Sequence, residues 1–290
     1  MEQDLPHGAP TLFQDASVFA TDYIPDPHPY RMVQAEELTF ELRRGMADLT
    51  PRNVICRGPS GAGKTTCVRA IFSEIEALAS HFVPVYVDCR VDRTRYSILS
   101  RISLNLTGRP PAEEMDESDV IGTIADYLLE RRAALVVCLD DIDHISRSVI
   151  NHVLHVLLRM HETWPGVKVG VVAIVNSPYS NLCSTPEVST FSIFHPTENM
   201  FPPFRADEIR GVLRDRVQRG LSPGVMSDEV FALVVKRTIE CGNIRMGLSL
   251  LRRAVTIAEQ DGRRTVTRED VCTAYENWCD GFLQAICVLE

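Results

Sequence analysis

The chain has 290 residues, 45% of them apolar and 24% charged, with a formal net charge of −9. That length holds about two ordinary domains, and that balance excludes a mostly disordered or fibrous chain. The charge argues against a broadly basic coat for nonspecific nucleic-acid binding, and it is uneven: residues 1–203 carry 17 basic and 26 acidic groups, residues 204–290 carry 13 of each.

Residues 1–29 are rich in Pro, Asp and His, and residues 1–32 read as an extended arm. Val33, Leu38, Leu42 and Met46 recur at helical spacing and predict an amphipathic helix over 33–47. A short strand, 53–57, runs into a Gly-rich turn and a helix over 64–78. The valine-rich stretch 82–89 is a second strand. Helices are predicted over 95–106 and 120–132, with an acidic, proline-containing segment between them. The apolar run 134–139 is a strand ending in carboxylates, followed by a helix over 149–161 and a buried strand over 167–175. Strands alternating with helices predict a parallel sheet covered on both faces over 33–203. After Pro202-Pro203 the pattern becomes all-α, with helices over 206–219, 228–239, 244–260 and 268–278. Ser227 or Asp228 can cap the second of these, and Thr267 with Asp270 forms a capping-box pattern for the fourth. Residues 204–278 are therefore a small helical domain, and 279–290 a tail. No apolar run approaches the length of a membrane span, and the first 25 residues lack the features of a secretory signal. Nine cysteines without a C-x-x-C pair read as buried thiols of a cytoplasmic protein.

Gly58-Pro59-Ser60-Gly61-Ala62-Gly63-Lys64-Thr65 satisfies G-x-x-x-x-G-K-[ST] at every fixed position, between a predicted strand and a predicted helix. The glycines let main-chain N–H groups surround a phosphate, and the helix adds its positive N-terminus. Lys64 would reach the β and γ phosphates, and the Thr65 hydroxyl would ligate Mg²⁺. Leu135–Leu139 then delivers Asp140 and Asp141 to the carboxyl edge of the sheet. Asp140 would hold the metal, and Asp141 sits where such ATPases place the base that polarises the attacking water. Asp in place of the usual Glu shortens the reach by roughly 1.5 Å, so hydrolysis should be slow. Asn176 ends the next strand, where an amide can orient that water; an Asn before Ser-Pro can also serve a turn. Arg245, on the first turn of the helix after Gly242-Asn243, could report the third phosphate from a lid; the bland reading is one solvated arginine among 27.

These elements in this order resemble the AAA+ ATPases, and more closely the archaeal origin recognition complex/cell division control initiators. The resemblance rests on Leu12-Phe13, Asp15, Tyr23-Ile24-Pro25 and Pro29-Tyr30-Arg31 in the arm, and on Val85-Tyr86-Val87-Asp88-Cys89 in the second strand. It continues through Phe201-Pro202-Pro203-Phe204, Asp207-Glu208-Ile209 and Leu213-Arg214. It ends in the lid with Gly242-Asn243-Ile244-Arg245, Leu251-Arg252-Arg253-Ala254 and Val266–Val271. It implies an α/β P-loop AAA+ sheet with helices on both faces and an all-α lid. It further implies ATP or ADP with Mg²⁺ between them. Gly58 to Thr65 with Thr66 would hold the phosphates, Tyr23, Ile24 and Arg31 would lie at the adenine, and Arg245 would sense the γ phosphate.

Four departures qualify what the resemblance implies. Only 14 residues follow Glu276, too few for the family's winged helix. The stretch where relatives insert into DNA carries Glu113, Glu114, Asp116, Glu117 and Asp119, which repel phosphates. Pro186-Glu187-Val188 lacks the arginine that reaches a neighbouring subunit, and Asp141 replaces Glu. The expected partners are ATP, other initiator subunits or a replicative helicase, and duplex DNA at origins through weak contacts. The alternatives are a paralogue that regulates full-length initiators without binding origin DNA, or another P-loop DNA-transaction ATPase.

Overall fold

Strands buried on both faces need apolar side chains at successive positions, and Val54–Arg57 (β1), Phe82–Asp88 (β2), Ala134–Asp140 (β3) and Lys168–Val175 (β4) largely supply them. The computed structural model describes residues 11–20, 23–24, 29–47, 49–176 and 193–287. In it these strands and a fifth, Thr197–Met200 (β5), pair in parallel in the order β2-β3-β4-β1-β5. Leu135, Val137 and Leu139 of β3 face a core shared with α3 (Arg95–Thr107), α4 (Glu117–Glu130) and α5 (Arg147–Thr163). Ala134, Val136 and Cys138 face the opposite core, which holds Leu38 and Leu42 of α1 (Met32–Met46) and Cys67, Val68 and Ile71 of α2 (Lys64–Leu78). The period-two alternation of β3 thus builds both layers at once.

β5 escapes the sequence pattern because Thr-Glu-Asn-Met carries no apolar run. It is an edge strand fixed by polar contacts: Asn199 Nδ2 donates to the Gln34 carbonyl at 2.8 Å, and Arg57 pairs with Glu198 at 3.1 Å. α4 begins earlier than its apolar positions indicate, because Asp116 and Asp119 form a reciprocal capping box; part of the acidic segment is spent on this cap.

The chain divides into two compact units, Asp26–Pro202 and the combination of Met1–Pro25 with Pro203–Glu290. The second unit contains α6 (Ala206–Gly220), α7 (Asp228–Cys241), α8 (Ile244–Gln260) and α9 (Arg268–Cys287). α9 continues into the segment read as a tail. The described part of the arm joins this unit: Leu12, Val18 and Phe19 share its core with Leu213 and Leu221, and Gln14 N donates to the Gly220 carbonyl at 2.9 Å. Four thiols, Cys56, Cys67, Cys89 and Cys138, are free and buried, and burial pushes Cys67 and Cys89 up to about 12. Among the described residues no helix is long and apolar enough to cross a membrane.

The expected cap of α9 forms. Thr267 N donates to Asp270 Oδ2 at 2.7 Å, and Arg263 Nη1 reaches the same oxygen at 2.6 Å. Burial alone would raise the Asp270 carboxyl, but Arg263 and Thr267 outweigh it and hold it below the ordinary aspartate value. A depressed folded pKa stabilises the fold above the unfolded value of about 3.9, and that contribution disappears as pH falls through the folded pKa. Asp270→Ala should therefore cost about 2 kcal/mol in urea unfolding at pH 7. The gap from wild type should shrink below about pH 4; a gap constant down to pH 3 would count against this account.

Candidate nucleotide-binding site

Parallel pairing gathers the carboxyl ends of the strands at one edge, and β4 lies between β1 and β3. Gly58 after β1, Asn176 after β4 and Asp140 at the end of β3 therefore come together. A methyl group on Gly58 would meet the Phe201 carbonyl oxygen at 2.1 Å, so no larger residue fits. Gly61 and Gly63 take φ of +79° and +89°, which glycine adopts without steric cost. Gly63 is the N-cap of α2, so the loop feeds a helix start whose first amides, those of Lys64, Thr65 and Thr66, lack intrahelical acceptors. Ala62 N closes a turn onto the Pro59 carbonyl at 3.2 Å, with Ser60 exposed within the turn.

Lys64 is 4% exposed, and its ammonium donates to the carbonyls of Gly58 and Pro59 at 2.7 and 2.8 Å and to Asn176 Oδ1 at 3.1 Å. Thr65 Oγ1 and the Tyr86 hydroxyl both donate to Asp140 Oδ2, at 2.8 and 2.6 Å. Asp140 is 1% exposed, and its other oxygen, Oδ1, is buried without a hydrogen-bond partner. Burial raises the Asp140 pKa, against the pull of the two hydroxyl donors. The Tyr86 pKa is raised by burial and by this carboxylate.

Asp141 takes a left-handed conformation, φ +53°, which turns the chain sharply at the strand end. Asn176 Nδ2 donates to Asp141 Oδ1, and Arg90 Nε pairs with Asp141 Oδ2 at 2.9 Å. The main-chain nitrogen of Asn176 donates to Asp143 Oδ2 at 2.9 Å. Both oxygens of the candidate base are thus engaged by neighbouring side chains.

The remaining predicted residues separate by unit. Arg31 lies in the α/β unit and is buried, its Nε donating to the Ala62 carbonyl at 2.7 Å and its Nη2 to the Pro202 carbonyl at 2.8 Å. It braces the Gly58–Thr65 loop through a main-chain carbonyl. Tyr23, Ile24 and Arg245 lie in the helical unit. The Arg216 guanidinium sits 4.3 Å from the centre of the Tyr23 ring, Ile24 is exposed, and Asn243 caps the turn that carries Arg245. Two residues gain importance only in the structure. Tyr86 and Arg90 reach the carboxylates because Asp88 of β2 pairs in register with Asp140 of β3, and no single-strand pattern reveals that register.

The donor set fits Mg²⁺. A carboxylate oxygen without a partner beside a hydroxyl matches a hard cation that takes one or two protein oxygens and completes its shell from phosphate and water. Among the described residues no group of three His, Cys, Asp or Glu side chains could hold a metal by itself.

Residues 47–172 match the model of the AAA domain, and residues 210–276 match that of the Cdc6 AAA+ ATPase-type lid domain. ORC1-type DNA replication protein 2 of Methanosarcina mazei is 40% identical over 268 residues, covering 92% of this chain and 71% of that protein. ORC1-type DNA replication protein 6 of Halobacterium salinarum is 36% identical over 269 residues, covering 92% of this chain and 72% of its own length. The structure of the Aeropyrum pernix ORC1 protein in complex with DNA superposes with a TM-score of 0.78 at 28% identity, covering 91% of this chain and 69% of that one.

The Arg90–Asp141 pair is half exposed on the arginine side, where such contacts contribute under about 1 kcal/mol. Arg90→Ala should free one oxygen of Asp141 and raise steady-state phosphate release up to roughly fivefold. A fall in turnover would show that the pair supports the base instead of restraining it.

Proposed function

The chain belongs to the family of ORC1-type DNA replication proteins, and from that premise we propose that it is a replication-initiator ATPase that binds ATP with Mg²⁺, hydrolyses it slowly and changes state with the nucleotide. The carrying observation is the strand-end cluster in which Lys64, Asn176 and Asp141 form one hydrogen-bonded chain and Thr65 and Asp140 form a second beside it. The main-chain amides at the start of α2 would bind the phosphates, and the Lys64 ammonium would exchange loop carbonyls for phosphate oxygens. Thr65 Oγ1 and Asp140 would hold the ion. Once bound, Mg²⁺ supplies neutralisation of the charge that develops on the β and γ oxygens. Asp141 would accept a proton from the attacking water, which Asn176 would orient. Its short side chain and its engagement by Arg90 and Asn176 favour slow turnover. Arg245 would report the third phosphate from the helical unit.

A DNA complex of the Aeropyrum pernix ORC1 protein supports DNA as a partner; origins as the place of action, other initiator subunits or a replicative helicase as partners and the cytoplasm as the compartment rest on the reading of this chain as a replication initiator. A second reading is favoured by one feature. Glu113 and Glu114 are exposed on the acidic segment, which suits a regulator of other initiators that contributes no base readout.

Lys64→Ala should weaken ATP binding roughly a hundredfold, about 3 kcal/mol, in calorimetry on protein with unchanged circular dichroism; unchanged affinity would contradict the site. Arg245→Ala should weaken ATP several-fold more than ADP, and equal losses would mean that it does not sense the third phosphate.

A further inference from the structure

α8 is apolar on one side, where Leu248, Leu251, Ala254, Val255 and Ala258 enter the core of the helical unit. Ser249, Arg252, Arg253 and Thr256 recur at i, i+3, i+4 and i+7, so they form one polar stripe along the helix. This stripe is one wall of a groove of about 480 Å³ between α8 and α9, to which α9 contributes Asn277. Ile257 and Ala274 add apolar surface to its lining.

Both arginines are exposed, and among the described residues neither has an ion pair or a hydrogen bond through its guanidinium. Several other arginines of the unit are occupied: Arg214 pairs with Asp228, Arg237 with Glu240, Arg263 with Asp270 and Arg268 with Glu229. The nearby Glu259 carboxylate is taken by the Thr11 hydroxyl and the Leu12 amide. Glu276, exposed beside Asn277, is the acidic group next to the groove in sequence. A concave surface thus offers two guanidinium groups, unpaired among the described residues and flanked by hydroxyls and an amide, on a stretch (204–290) that carries 13 basic and 13 acidic groups.

Arginine, serine, threonine and asparagine are the side chains that contact phosphate oxygens and sugars in nucleic-acid complexes without reading bases. The stripe from Ser249 to Thr256 is about 10 Å long, enough to meet two successive phosphates of one strand. We propose that the groove between α8 and α9 is a contact site for the sugar-phosphate backbone of duplex DNA, gripped by Arg252 and Arg253. The choice of nucleic acid as the anion rests on the reading of this chain as a replication initiator. The contact is sequence-independent, and it lies on a unit separate from the acidic 113–119 segment.

The test is fluorescence anisotropy of a labelled mixed-sequence duplex of about 30 base pairs with the full chain, across about 50–200 mM salt. The Arg252→Ala/Arg253→Ala double variant should bind at least tenfold more weakly at low salt. Its plot of log affinity against log salt should be shallower by about 1.8, the loss of two phosphate contacts. The double lysine variant should keep the wild-type slope. ATP affinity should be the same in all three proteins. Unchanged DNA affinity and slope in the alanine variant would overturn the proposal, as would no DNA binding by wild type. Polyglutamate binding that exceeds DNA binding and is lost in the same variant would reassign the groove to an acidic protein and also overturn it. Failure of Lys64→Ala to lose ATP, alongside loss of DNA by the double alanine variant, would refute the nucleotide site and leave the groove standing.

Discussion

A carboxylate removed from water with one oxygen unpartnered is an expensive thing for a protein to hold, on the order of 1–3 kcal/mol or more. Asp140 is held in that condition, with Thr65 and Tyr86 on one oxygen and nothing on the other. The rest of the α/β unit can be understood as what keeps it there. A strand buried on both faces fixes the main chain, β2 beside it brings the Tyr86 hydroxyl, and the helix that follows the glycine loop after β1 brings Thr65. An acid poised in this way would have its free energy lowered by a cation, so in the proposed function nucleotide with Mg²⁺ would also stabilise the fold.

The helical unit follows a different logic. Its core is built from an amphipathic α8 and the helices around it, and its ends are fixed by side-chain caps at Ser227, Asn243 and Thr267 with Asp270. The described part of the arm completes that core instead of standing alone: Leu12, Val18 and Phe19 pack against α6 and its C-terminal turn, and Tyr23 lies under Arg216. The polar stripe on α8 is free of packing duty in that core.

Much of this was legible in one dimension. The phosphate loop could be read because backbone geometry demands glycine at fixed places, and β3 because burial on both faces leaves an unbroken apolar run ahead of two acids. The helices of the second unit could be read from apolar spacing and from cap residues that are chemically specific. What could not be read depends on pairing between distant segments. β5 is a strand only because β1 offers it a ladder and Gln34 receives Asn199. Arg90 is ordinary in sequence, and becomes a partner of Asp141 only when β2 and β3 lie in register. Arg31 carries a family resemblance at the base, yet within its unit it supports the loop by binding carbonyls.

That last residue joins two places that are 140 positions apart in the chain. One guanidinium holds the carbonyl of Ala62 inside the phosphate loop and the carbonyl of Pro202 at the last position before the helical unit begins. The Phe201 oxygen meanwhile fills the space that a side chain on Gly58 would need. The Gly58–Thr65 loop and the last residues of the α/β unit are thereby tied to each other at two points, one a buried guanidinium and the other a close main-chain approach that only glycine permits.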